Sequence, residues 1–407
     1  MLILKLALRN VLRNRRRSLL TIISMGGGYF LLSVMAAMTE GSYSNMIDLF
    51  TRDHTGHVQV HYGNYLTRPS LYKTINQSDL IISNLMEKEQ VIAAAPRIYG
   101  PSLAYGKSKS FPANVIGIHP DYESRTTLLS AKLQQGVFIK EGMNADGYYP
   151  AMIGVTLSKN LNVTLGDELI LISQGIDGSI ANDIFQISGI VGTETSHERL
   201  NVYLSLSAMS QFLSMGNQVH EIAIRLQHQD QAIDFVNKMD KFKLHRSLTY
   251  EPWQVVESAF FNGMKADKTG NYVSMGIIIF IVAIGVLNAI LMSTLERTHE
   301  FGILKAIGTR PMGIFRLILL ESSLLALASC FIGACFSLPV NYWMAAEGIP
   351  MPTPIDMGGV VFETMLGEVS VFSMGMPTLV VLFSTLLVSV VPAMRASQIS
   401  PTEAMRN

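Results

Sequence analysis

The sequence predicts an α-helical membrane protein with four transmembrane helices and a large extracytoplasmic α+β domain inserted between helices 1 and 2. Three observations carry that prediction. Hydrophobic residues make up 49% of the 407 and charged residues only 15%, an imbalance unusual in a soluble chain of this size. Four stretches offer about 20 mostly apolar residues each, the number a helix needs to cross a hydrocarbon core about 30 Å thick. Nothing comparable lies in the long interval 39–272, which reads instead as a folded domain.

The four runs fall at 19–38, 273–293, 314–338 and 374–394. The first is longer than the roughly 7 to 15 apolar residues of a secretory signal. It also lacks a good small-residue cleavage pattern around Ala36 and Ala37, so it is expected to stay as a span. Short basic loops remain cytoplasmic, and the segment ahead of this run holds Lys5, Arg9, Arg13, Arg15, Arg16 and Arg17 with no acid. The N-terminus is therefore expected in the cytoplasm. An even number of spans returns Arg395 and Arg406 there, along with Arg297, Lys305 and Arg310. The loop 343–371 carries Glu347, Asp356, Glu363 and Glu368 but neither lysine nor arginine, as an outside loop should.

The inserted domain shows period-two runs at 57–60, 114–118, 168–173, 185–191, 201–206 and 221–226, the alternation expected of strands. Helical patterns at 79–89 and 230–239 each open with a serine or aspartate able to accept first-turn amides. A turn-rich segment at 142–147 is a candidate internal division. After the first span, Tyr43, Met46, Ile47 and Phe50 recur at helical spacing. Trp253, Val256, Phe260 and Met264 do so before the second, with Gly263 and Gly270 weakening the pattern. Two readings stay open: stalks that extend the spans by about 18 Å for about 12 residues, or stripes packed into the base of the domain.

The net charge of zero gives no global field for nucleic acid, and no nucleic-acid partner is expected. Cys330 and Cys335 share one apolar run at a spacing that suits neither a metal site nor a disulfide. The stretch GPSLAYGKS, 100–108, has one residue too many between its glycines for a phosphate-binding loop, and HEFGI has isoleucine, Ile303, where a zinc-protease helix needs its second histidine. No metal site and no catalytic constellation follow. Glu321 lies about a turn and a half inside the third run and is an intramembrane polar candidate, either as a proton relay or as a hydrogen-bonded staple. Gly26, Gly27 and Gly28, with Ser24, suit close helix packing, within the chain or against a second subunit.

Between spans two and three the polar stretch LERTHEFGILKAIGTR, 295–310, reads as a short helix with Phe301, Ile303, Leu304 and Ile307 on an apolar side. Its residues alone leave a membrane-surface helix and a docking element equally open. EFGILKAIGTR resembles the coupling-helix motif of the FtsX/MacB family of ABC-transporter permeases at Glu300, Gly302, Lys305, Ala306 and Gly308, with Phe301 where isoleucine is more usual. The tail is similar to that family's closing motif at Pro392, Ala393, Arg395, Ala396, Ile399, Pro401, Ala404 and Arg406. The leading segment looks like its amphipathic cytoplasmic helix. The stretch 152–171 is similar to the outside domain of LolC/LolE-like lipoprotein-releasing and macrolide-exporter permeases at Gly154, Leu161, Gly166 and Asp167.

The resemblance implies a multi-pass protein of the bacterial inner membrane, divided as follows: a cytoplasmic helix at 1–18; first span and stalk at 19–50; the periplasmic domain at 51–250; second stalk and span at 251–294; the coupling helix at 295–313; spans three and four at 314–394; and a cytoplasmic tail at 395–407. It further implies a coupling helix that docks on a cytoplasmic ABC ATPase, present in two copies and binding ATP and Mg, since this chain carries no phosphate-binding loop. A second permease copy or paralogue, membrane lipid, and a lipoprotein or other amphipathic cargo complete the expected partners. A non-transporting scaffold that activates an outside enzyme, such as a cell-wall hydrolase, is the alternative function.

Overall fold

The computed structural model describes residues 2–13, 15–107, 109–242, 247–357 and 360–398. It resolves into two compact units, Met1–Asn45 with Met264–Pro352 and Thr364–Asn407, and Met46–Gly263 with Thr353–Glu363.

The first unit is helical. Its elements are α1 (Leu2–Arg13), α2 (Arg15–Phe50), α3 (Ser258–Glu296), α4 (Thr298–Ala306), α5 (Pro311–Ala346) and α6 (Val371–Gln398), with α2 and α3 each carrying the chain on into the second unit. Four of these helices are long and apolar enough to cross a membrane, and each contains one of the four runs read from the sequence. Small residues let them approach closely. A Cβ on Gly26 would stand 3.3 Å from the Ser329 carbonyl oxygen of α5, and one on Gly28 would stand 2.8 Å from the methyls of Val282 in α3, while Gly27 faces open space. The glycine run is thus spent mainly on packing inside the chain. Tyr29, Ala326, Cys330 and Val381 form one buried cluster, and Leu32, Ala36 and Met275 form another. Asn341 donates to the Ser33 hydroxyl at 3.1 Å across this interior.

Among the described residues the main sheet of the second unit has ten strands: β1 (Val58–Tyr62), β2 (Val91–Tyr105), β3 (Ser110–Ile118), β4 (Leu133–Gly136), β5 (Tyr149–Gly154), β6 (Glu168–Gln174), β7 (Ile180–Val191), β8 (Asn201–Ser205), β9 (Glu221–Leu226) and β10 (Leu248–Pro252). The path β10-β1-β9-β2-β3-β8-β5-β7-β4 is closed by β6, which pairs with both β2 and β7, so six strands form a continuous ring. Ring closure leaves β2, β3, β5, β6, β7 and β8 without a free edge inside the ring. Ile116, Ile118, Met152, Val191 and Tyr203 pack as one core. No division falls at 142–147: β5, just beyond it, belongs to the same sheet as β1, β2 and β3 before it, and both sides lie in one compact unit.

Two expectations are corrected here. The helix expected at 79–89 runs Ser78–Met86, and its N-cap, Gln77, is left-handed and makes no side-chain cap bond. The second stalk is not one helix through Trp253: a turn, Trp253–Val256, is separated from α3 by Glu257, whose φ of −106° and ψ of 51° lie outside the helical region. Trp253 is buried within the second unit. Phe260, by contrast, lies in α3 and stacks on Phe50 of α2, with ring centroids 3.7 Å apart and planes 5° from parallel. Val256, Met46 and Ile47 are half-buried in the same unit. In the first unit Tyr43 donates to Asp267 of α3 and accepts from Asn271 at 2.8 Å.

Candidate coupling site and a buried ionic cluster

The chain breaks helix at Arg297, whose φ of −107° makes it the N-cap of α4, and resumes at Thr298. Glu300 therefore stands at the third helical position, where a carboxylate is favoured by the exposed amides and dipole of the first turn. Gly308 ends the segment with φ +99°. Thr309 N–H donates to the Leu304 carbonyl and Gly308 N–H to that of Lys305, at 3.0 and 2.9 Å. This pairing is the Schellman closure, which requires a left-handed residue and so favours glycine.

An alternating polar chain fixes α4 from one side. Arg297, only 4% exposed, donates through Nη1 to Glu321 of α5 at 2.5 Å and through Nε to Glu300 at 2.8 Å. The second oxygen of Glu321 accepts from Asn10 of α1 at 2.6 Å, and Glu300 also accepts from Arg13 of α1. Burial pushes the Glu300 carboxyl up, but the hydrogen bond and charge of Arg297, with those of Arg13, outweigh it and hold the group below the ordinary range. The Arg297 guanidinium also lies 5.2 Å from the centroid of the Phe301 ring. Phe301 itself packs with Ile314, Ile318, Ala393 and Ala396, so α6 residues of the tail motif floor α4. Gly302 is buried, Lys305 half-buried, and Ala306 and Gly308 exposed. Ile399, Pro401, Ala404 and Arg406 lie outside the described residues.

The apolar side of α4 is split. Phe301 and Leu304 turn inward, while Ile303 and Ile307 are 41% and 79% exposed. Asn10, Arg13 and Arg297 were not singled out from the sequence as members of this site. The signal that pointed toward Arg297 was Glu321, an acid in an apolar helix that demands a counter-charge.

In the second unit His54, His61 and His197 look scattered in the sequence but gather around buried acids. His61 places one ring nitrogen 2.6 Å from Glu251 and the other 3.3 Å from Glu221. Arg97 spans Glu123, at 3.0 and 2.6 Å, and Glu221, at 2.9 Å. His54 reaches Asp53 and Glu257, both at 3.2 Å, and stacks on His197 with centroids 4.1 Å apart. Among the described residues no group of three or more histidine, cysteine, aspartate or glutamate side chains is placed to hold a metal.

Burial lowers the basicity of His54 and His61, but their paired carboxylates outweigh it and push each up to about 9. Burial lowers His57, and burial with the neighbouring His54 charge lowers His197, each to about 4. Taking about 6.5 as the unfolded value, the raised pair stabilises fully below 6.5 and loses that contribution as pH rises through 9. The lowered pair stabilises above 6.5 and loses its contribution as pH falls through 4. Stability of this unit is therefore expected to peak near pH 6.5 and fall on both sides. Unfolding of the full chain followed by Trp253 fluorescence, in a Trp343→Phe background, reads this directly. His61→Gln should flatten the alkaline limb, and a midpoint unchanged between pH 6.5 and 9 would rule out a stabilising role for these histidine–carboxylate pairs.

Residues 18–242 match the family model of the MacB-like periplasmic core domain, and residues 272–401 match that of the FtsX-like permease C-terminal region. The lipoprotein-releasing system transmembrane protein LolC of Xylella fastidiosa is 23% identical over 339 residues, 79% of each chain. The macrolide export ATP-binding/permease protein MacB 2 of Aeromonas hydrophila is 24% identical over 83% of this chain but only 53% of its own length, so this chain spans about half of that relative. The crystal structure of the periplasmic region of MacB from Actinobacillus actinomycetemcomitans is 16% identical, with a TM-score of 0.38, covering 54% of this chain and 98% of that one. With one model matching more than half of the chain and the other most of the remainder, the protein belongs to the FtsX- and MacB-type family of ABC transporter permeases.

Proposed function

We propose that this chain is a non-catalytic permease subunit of the bacterial inner membrane, with both termini cytoplasmic, that pairs with a second copy or a paralogue. Two copies of a separate ABC ATPase bind ATP and Mg, and each docks on one α4. Closure of the ATPase pair pushes α4, the push passes to the long helices that flank the inserted domain, and the domain moves against cargo on the outer side.

The observation that carries this reading is α4 itself. It is a capped helix pinned on one side by Arg297, Glu321 and the Phe301 cluster, with Ile303, Ala306, Ile307 and Gly308 left exposed. A helix fixed on its inner side and apolar on its outer side can pass a mechanical load to its neighbours only when something presses on that outer side. The lipoprotein-releasing system to which the LolC relative belongs, matched over most of both chains, favours a lipoprotein or similar amphipathic molecule as cargo. Extraction of such cargo needs no hydrophilic pore.

Mild-detergent purification of the tagged chain, followed by mass spectrometry, tests the reading. The expected partners are an ABC ATPase together with a lipoprotein or its soluble carrier. Recovery of the ATPase with a cell-wall hydrolase instead would mark a non-transporting scaffold, and no ATPase at all would remove the coupling assignment.

A further inference from the structure

The leading helix α1 has three distinct sides. Ala7 is fully buried, and Asn10 reaches Glu321, so this side packs on α5. Away from it, at about 100° per residue, two stripes run side by side. Leu4, Leu8 and Leu12 follow one another at four-residue spacing and are 50%, 51% and 62% exposed. Lys5, Arg9 and Arg13 form the neighbouring stripe, also exposed, and Arg15 and Arg16 stand exposed at the start of α2 just before the apolar run begins. Leu6 lies on the far side of the basic stripe. No acid lies anywhere in the first 39 residues.

An exposed leucine stripe beside a cationic one suits the boundary between acyl chains and headgroups, where leucines enter the hydrocarbon and long basic side chains extend outward to phosphate. From this arrangement we propose that α1 is a binding surface for anionic phospholipid, with Leu4, Leu8 and Leu12 inserted among acyl chains and Lys5, Arg9, Arg15 and Arg16 on the headgroups. Charge complementarity selects the occupant: a zwitterionic headgroup supplies no net attraction, whereas an anionic leaflet gains about fivefold in binding for each basic side chain at its surface. Arg13, on the same helix, holds Glu300, so lipid that seats α1 also seats the polar chain that fixes α4. The inference rests on the membrane placement proposed above.

The test uses the full chain, with Cys330 and Cys335 replaced by alanine, reconstituted in vesicles of phosphatidylcholine with phosphatidylglycerol. A fluorophore on Leu8→Cys reports quenching by either lipid carrying a spin label in its acyl chain, and the same fluorophore on Leu31→Cys, exposed on α2, serves as the span control. Leu8→Cys is expected to be quenched severalfold more by labelled phosphatidylglycerol than by labelled phosphatidylcholine. That preference should vanish when Lys5, Arg9, Arg15 and Arg16 are all changed to glutamine. Quenching at Leu31→Cys but not at Leu8→Cys, or equal quenching by the two lipids, overturns the surface while leaving the membrane reading intact. Absence of quenching at both positions overturns both.

Discussion

Arg297→Ala is expected to be the most destabilising single substitution in the helical unit, at about 3–5 kcal/mol, because it strands a buried carboxylate rather than merely deleting a contact. Glu321 would keep only the Asn10 amide, and Phe301 would lose the guanidinium lying near its ring. The cost belongs to the unpaired charge, which gives the prediction a second arm. Glu321→Leu in the Arg297→Met background removes both charges at similar volume and should recover most of the lost stability. Denaturant or thermal unfolding of the purified full chain in detergent measures both variants. A loss below about 1 kcal/mol for Arg297→Ala would mean the pair behaves as a solvated surface bridge, and failure of the double variant to recover would mean that Arg297 acts through packing.

The parts of the fold that could be read in advance are those in which a residue's fate depends on its near neighbours in sequence. The runs at 168–173 and 185–189 alternate in step with one more deeply buried side of each strand, whereas 221–226 is buried on both faces; all three runs lie within observed strands. The 15-residue β2 was not anticipated. Its first half is buried on both faces, so VIAAAPRI shows no alternation, and Pro96, Gly100 and Pro101 read as turn residues. The break at Glu257 was equally invisible, since the helical spacing of Trp253, Val256 and Phe260 continues straight across it.

The candidate site divides along the same line. The coupling motif is a local pattern, and its glycine at 308 sits where the helix closure needs a left-handed residue. The Asn10 to Glu321 hydrogen bond joins residues 311 apart in sequence. It exists because α1 packs on α5, a tertiary outcome that no local window contains. The clustered His54, His61 and His197 follow the same logic: β1, β9, β10 and the loop before β8 bring them and their acids together only after the sheet has formed.

Glu300→Lys is expected to lower ATPase-stimulated turnover by about tenfold or more, and the in-chain partners of Glu300 decide what that loss means. If the carboxylate acts chiefly by contacting the ATPase, no change elsewhere in this chain can restore it. If it acts by anchoring α4, through Arg13 and Arg297, then Arg13→Glu in the Glu300→Lys background re-creates one ion pair with its polarity reversed and should recover a substantial fraction of turnover. Recovery stays partial because the introduced ammonium would still face the Arg297 guanidinium, a like-charge contact in a partly buried setting. ATP hydrolysis by the reconstituted complex, with ATPase binding measured in parallel, separates the cases. Loss of turnover with binding retained, and rescue by the reversed pair, identifies Glu300 as the anchor that lets α4 transmit force. Loss of binding in both variants identifies it as a docking contact, and unchanged turnover in Glu300→Lys would remove it from the coupling site altogether. The exposed Ile303 and Ile307 then supply the complementary measurement. In the anchoring case, replacing both with serine should abolish ATPase binding while leaving the polar chain beneath them, and so the fold of α4, undisturbed.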